Sequence, residues 1–160
     1  MRDDAFERLY SAHAEGLLGF LLYRVGERAL AEDLMAETFE KALRARRRFD
    51  RRRGREKTWL YAIALNCLRD HARRAAAERR ALERVGVPGD AGGGGLEAVD
   101  ARQAVAAALE RLSDEERTAI ALRYGAELTV REIAAVTGES ETTANGRVYR
   151  ALEKLRRELA

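Results

Sequence analysis

The chain has 160 residues, of which 46% are hydrophobic and 36% charged, with a formal net charge of +3. That balance suits a soluble protein with a buried core, and a single cysteine, Cys67, excludes an internal disulfide. No run of about 18 apolar residues exists to span a membrane, and the opening MRDDAFERLY is acidic and amphipathic rather than a signal peptide, so the cytoplasm is the expected compartment.

Alanine, leucine, arginine and glutamate dominate and there is one proline, which predicts an all-α fold. Asp3 or Asp4 can cap a first helix running to about Arg24. Phe6, Leu9, Tyr10, Leu17, Leu18, Leu21 and Leu22 form its apolar side, and Gly16 and Gly19 weigh against its continuity. After a turn at residues 25–28, a second helix over residues 29–47 should bury Leu30, Leu34, Phe39 and Leu43. It turns Glu32, Asp33, Glu37 and Glu40 outward, an arrangement that a solvated, dipole-friendly face explains as well as a binding role does.

Residues 45–58, ARRRFDRRRGREKT, carry eight arginines and lysines, and Asp50 and Gly54 break the helical period. This reads as a basic loop. A third helix, TWLYAIALNCLRDHARR, points Trp59, Leu60, Ile63, Ala64, Cys67 and Leu68 inward, and a basic flank continues to Arg80. Then comes VGVPGDAGGGG, with five glycines in its last seven residues. Such a stretch is expected to be a flexible linker over residues 81–100, with ends about 25 Å apart as a random coil. The prediction is therefore two small helical domains, residues 1–80 and 101–160, joined by a Gly-rich tether.

The second domain opens with a helix over residues 101–112. Ser113 and Glu116 form a capping box for the next helix, and Thr129 with Glu132 forms another. Gly138 should end that helix in a left-handed cap, and Ser140 should start the last one, where Thr143, Ala144, Val148, Ala151, Leu152 and Leu155 form a stripe. Its other face carries Thr142, Asn145, Arg147, Tyr149, Arg150 and Lys154. Two helices, a glycine turn and an outward polar face are the parts of a helix-turn-helix, although an αα-hairpin that merely packs has the same spacing.

Charge is segregated along the chain. Residues 1–40 have four Lys/Arg against nine Asp/Glu, and residues 41–80 have fifteen against four. Residues 81–128 have five against nine, and residues 129–160 six against five. A polyanion is thus drawn to the basic block, not to the helix-turn-helix. One recognition helix does not explain that block; a second nucleic-acid surface would. Single-stranded nucleic acid is held by cations for its phosphates and platforms for its unstacked bases. Arg51, Arg52, Arg53, Arg55 and Lys57 beside Trp59 and Tyr61 offer both, with Trp59 better placed for the core. Arg73 and Arg74 suit phosphates at a duplex edge, or simply a solvated helix end.

In order, AEDLMAETFEKALRARRRFD, TWLYAIALNCLRDHARR and LSDEERTAIALRYGAELTVREIAAVTGESETTANGRVYRALEKLRREL resemble the extracytoplasmic-function (ECF) sigma factors of bacterial RNA polymerase. The resemblance covers nearly the whole chain outside the tether. It implies that the second helix docks on the β′ clamp helices of core polymerase, with Asp33, Glu37 and Thr38 as contacts. The loop and third helix would recognise and open the −10 element, with Asn66 at the family's base-reading asparagine. The last domain would bind the −35 element through Thr142, Asn145, Arg147, Tyr149 and Arg150, and touch the β flap. An anti-sigma factor is a further implied partner.

Two departures from the family stand out. Glu56 or Lys57 occupies the place of an apolar or aromatic loop residue, so the −10 preference does not carry over. Asn145 and Gly146 replace a cation and a serine, and with Glu139 and Glu141 nearby weak −35 binding is expected. Metal-ligand spacings, nucleophile motifs and phosphate loops are absent from the sequence, so neither an enzyme nor a cofactor, metal or small-molecule substrate is expected. The rival readings are a stand-alone helix-turn-helix regulator, which leaves the basic block without a role and supplies no dimer seam, and an adaptor that binds polymerase without reading promoters.

Overall fold

The computed structural model describes residues 1–85 and 101–160; the glycine-rich core of the expected tether lies outside the described residues. Among the described residues every regular element is helical. Helix α1 (Asp3–Val25) runs unbroken through Gly16 and Gly19. Its N-cap is Arg2, without a side-chain cap, so Asp3 and Asp4 act through the helix dipole instead. Gly26, at φ +71°, ends it by donating its N–H to the Leu22 carbonyl.

Helix α2 (Arg28–Ala45) passes into a 3-10 turn at Arg46–Arg48. It buries Ala31, Leu34, Thr38, Phe39 and Ala42. Leu43, expected in the core, is one step of about 100° round from Ala42 and is 40% exposed. Tyr10 also keeps an edge at the surface while its ring lies 4.6 Å from that of Phe39.

Helix α3 (Glu56–Val85) is 30 residues long. It overruns its expected end near Arg74 and takes in residues 81–85, which the composition had assigned to the linker. The reason is local: AAAERRALERV holds strong helix formers throughout and no glycine before Gly86.

Helix α4 (Ala101–Glu110) precedes α5 (Asp114–Ile120), which continues into a π-helical turn at Ala121–Gly125. Helices α6 (Val130–Thr137) and α7 (Glu141–Leu159) complete the chain. Both capping boxes form as the sequence predicts. Glu116 N donates to Ser113 Oγ at 3.2 Å and Ser113 N to Glu116 Oε1 at 3.1 Å; the Thr129–Glu132 pair repeats this at 3.1 and 3.0 Å.

Beyond the predicted elements, the two halves share one core. A continuous buried cluster joins Leu17, Phe20, Leu21, Leu60 and Tyr61 to Leu122, Leu128 and Ile133. A smaller cluster of Leu112, Ile120 and Ala151 closes the second half. Helix α1 packs on the π-helical turn, and α3 on α6. Each large aliphatic side chain buried in this way contributes about 1.5–3 kcal/mol. A half of about 60 residues is marginal by itself, and packing on its neighbour offsets that.

Candidate nucleic-acid interface

The loop before α3 is built by Asp50. Its side chain accepts the Arg52 N–H at 2.9 Å and its carbonyl accepts the Arg53 N–H at 3.0 Å, a turn that Asp favours because its carboxylate reaches its own backbone two residues on. The turn turns Arg51, Arg52 and Arg53 outward, all exposed. With Arg55, Lys57 and His13 they line an open cleft of about 660 Å³. Arg51 meets Glu56 at 3.4 Å, but its side chain is 82% exposed, so the pair is weak. Behind the loop Phe49 lies against Trp59 with ring centroids 5.1 Å apart. Trp59 is half-buried, holding the loop to the helix rather than standing free as a platform.

Lys57 behaves differently from the other cations of the loop. Its Nζ lies 2.8 Å from Glu132 Oε2 on α6, so a carboxylate of the helix-turn-helix occupies it. Sequence spacing gives no hint of this pair, because 75 positions separate the partners and only the shared core brings them together. Asn66 and Arg74 are exposed on α3. Arg73, also exposed, is paired with Asp70 on the same helix.

The helix-turn-helix has the predicted construction. Gly138 takes φ +73° and donates its N–H to the Ala134 carbonyl. Ser140 Oγ accepts the Thr143 N–H at 3.1 Å and caps α7. The Thr143 side chain is exposed and its hydroxyl accepts from Ser140 Oγ at 2.9 Å, so the apolar stripe begins at Ala144 and continues through Val148 and Ala151. Thr142, Asn145, Tyr149 and Arg150 are exposed together along α7. Arg147 is half-buried and paired with Glu139. Gly146 has a role the sequence hides: a Cβ there would meet Arg150 Nη1 at 3.2 Å. Its absence lets that guanidinium lie along the helix.

On α2, Asp33 is exposed and Glu37 half-buried, the latter bound to Lys41 at 3.1 Å. The Glu37 hydrogen bond raises the Lys41 pKa. Thr38 departs from expectation. It is fully buried, and its hydroxyl donates to the Leu34 carbonyl at 2.7 Å, so it offers no surface to a partner.

Burial by itself would raise the carboxyls of Glu132 and Glu116. Hydrogen bonds from Lys57 and Thr129 to the first, and from Lys154 and Ser113 to the second, outweigh it and hold both below the ordinary 4.5. Burial and nearby Lys57 push His13 below 6.5, against the pull of Glu56 and Glu132. All three shifts are depressions, so the unfolded chain takes up protons first and the native state loses stability as pH falls. The urea midpoint should hold from pH 8 to 7, begin to fall below about pH 6.5 as His13 titrates, and fall further below about 4.5. His13→Gln should abolish the upper step alone. A midpoint flat from pH 7 to 5 in the parent protein would contradict the His13 environment.

Among the described residues no group of three or more His, Cys, Asp or Glu is placed to hold a metal, and no helix is long and apolar enough to cross a membrane. Residues 9–78 match the family model described as Sigma-70 region 2, and residues 102–155 that described as Sigma-70, region 4. The RNA polymerase sigma factor CarQ of Myxococcus xanthus is 34% identical over 96% of this chain and 88% of its own length. The ECF RNA polymerase sigma factor BldN of Streptomyces coelicolor is 32% identical over 96% of this chain, which spans 60% of BldN. The solved sigma factor RpoE of Bartonella quintana, in complex with the anti-sigma factor NepR, superposes with a TM-score of 0.76 at 25% identity. That match covers 97% of this chain and 96% of RpoE.

Proposed function

The chain belongs to the ECF sigma-factor family, and from that premise we propose that it binds core RNA polymerase and directs promoter recognition, DNA melting and transcription initiation. The observation that carries this reading is the pairing of two surfaces on one chain: an exposed arginine loop ahead of α3 and a doubly capped helix-turn-helix. Single-strand capture requires the first and major-groove docking the second.

Residues 1–80 serve the −10 element and polymerase. Arg51, Arg52, Arg53 and Arg55 hold separated strands, joined by Lys57 once Glu132 releases it. Asn66 reads a base, and Arg73 and Arg74 grip duplex phosphates. Asp33 and Glu37 face the β′ clamp helices, while Thr38 shapes α2 from inside. Residues 101–160 serve the −35 element through Thr142, Asn145, Tyr149 and Arg150, with Arg147 beside them, and meet the β flap. The protein acts in the cytoplasm as a non-enzymatic subunit, and a separate anti-sigma factor is the expected regulator.

One observation favours a second reading, an adaptor that binds polymerase without reading promoters: Arg147 is already paired with Glu139. Gel filtration with core polymerase tests the main reading. Co-elution before any DNA is added is expected, and a chain that shifts promoter duplex but ignores the core would be a stand-alone regulator. Transcription in vitro then separates initiation from mere adaptor binding. Asn145→Ala should alter preference at one −35 base step by about 1–3 kcal/mol and leave core binding intact. An equal response from every −35 sequence would remove Asn145 as a reader.

A further inference from the structure

We propose that the cavity between the end of α1, the middle of α3, the start of α5 and the α6–α7 turn is a binding site for a small phosphate-type oxyanion, held by Arg24 and Arg69. The site owes nothing to the promoter surfaces assigned above; it rests on buried charge that lacks a partner.

Arg24 stands in the last turn of α1, with its side chain 10% exposed. A guanidinium presents five N–H donors and stays charged, and a charge so far from water is ordinarily paired and hydrogen-bonded. Arg24 makes no such contact. Among the described residues its buried Nε has no hydrogen-bond partner. The one carboxylate that comes within 4 Å belongs to Asp114, at 4.0 Å, beyond hydrogen-bonding reach. That carboxylate is 81% exposed and already accepts from Arg117 Nη2 at 3.3 Å. Arg117 Nε is likewise buried and unpartnered. Two guanidiniums therefore share one solvated carboxylate. Burial, followed by Arg117, pushes the Arg24 pKa below its ordinary value; Asp114 opposes this and Arg69 adds to it. Positive charge is gathered here without its counterion.

The cavity has a volume of about 330 Å³, and Arg24 and Arg69 reach it from α1 and α3. Its other two cations are occupied, Arg73 by Asp70 and Arg147 by Glu139. Arg69 is exposed and, among the described residues, has no carboxylate within 4 Å. Two guanidiniums with free N–H groups on one cavity suit phosphate, whose oxygens planar forks bind in pairs. A compact anion carrying two or more charges can answer both at once; chloride cannot. The space holds a phosphate or pyrophosphate with water, and Arg24 lies too deep for a duplex to reach it. Asp114 and Glu115 at the rim are exposed, so solvent screens their repulsion.

Calorimetric titration of the full chain with sodium pyrophosphate, and separately with inorganic phosphate, tests the site at an ionic strength held constant with sodium chloride. Pyrophosphate should bind at one site with a Kd below about 1 mM, more tightly than phosphate. It should also raise Tm as its concentration passes the Kd. Arg69→Gln, at an exposed position, should fold like the parent and bind at least about tenfold more weakly. Arg24→Gln should lose the binding as well; should that variant fail to fold, Arg69→Gln carries the test. No heat, and no Tm shift beyond that of sodium chloride, would overturn the site. So would binding that survives both substitutions, or that disappears instead when Arg51, Arg52 and Arg53 are replaced by alanine, which would move the anion to the loop cleft.

Discussion

Alanine at Arg51, Arg52 and Arg53 together is expected to weaken open-complex formation about 100-fold at 0.15 M salt. Each lost phosphate contact to a single strand lowers the dependence of log K on log salt by about 0.7, so three lower it by about 2. All three side chains are exposed, and among the described residues only Arg51 has a carboxylate within 4 Å. Their removal leaves no buried group without a partner, so stability should change by less than about 0.5 kcal/mol. The measurement is promoter opening by permanganate footprinting across a salt series. A slope unchanged from the parent protein would take this loop off the DNA.

Leu122→Ala should cost about 2–5 kcal/mol of folding free energy, a large share of a typical domain's total. Leu122 is fully buried in the π-helical turn, within the cluster that holds Leu17, Phe20 and Leu21 of α1. Deleting its branched end leaves a cavity at the joint between the halves, where both faces lose contacts. Urea unfolding followed by circular dichroism gives the value. A loss under 1 kcal/mol would mean that the joint repacks freely, and that the shared core matters little.

The local rules carried well at most helix ends, the start of α1 excepted, where Asp3 and Asp4 lie inside the first turn and do not cap it. Ser113, Thr129, Gly138 and Ser140 all do what their chemistry predicts, because a cap is a contact made within three or four positions. Placement across the chain was not legible. Gly16 and Gly19 looked like weaknesses in a helix; their value appears only when Tyr61 and Gly125 arrive from elsewhere. A Cβ on Gly16 would stand 2.7 Å from the Tyr61 hydroxyl oxygen. The inward turn of Thr38 was hidden for a related reason. A threonine in a helix can bond the carbonyl four residues back or face solvent, and the sequence does not say which. Charge counting located the basic block correctly, yet counting cannot reveal that one of its lysines is already held by a carboxylate from a distant helix.

Helix α3 also has a mechanical side. Its 30 residues extend about 45 Å at 1.5 Å per residue. The first turns are seated by Leu60, Tyr61, Ala64 and Leu65, while every residue from Ala77 to Val85 is exposed. Such a rod is a lever that leaves its seat near Leu68: a tilt of about 10° there sweeps the tip, about 25 Å further on, through about 4 Å. A small disturbance at the root, beside the loop proposed to hold separated strands, is thereby amplified at the far end of the helix.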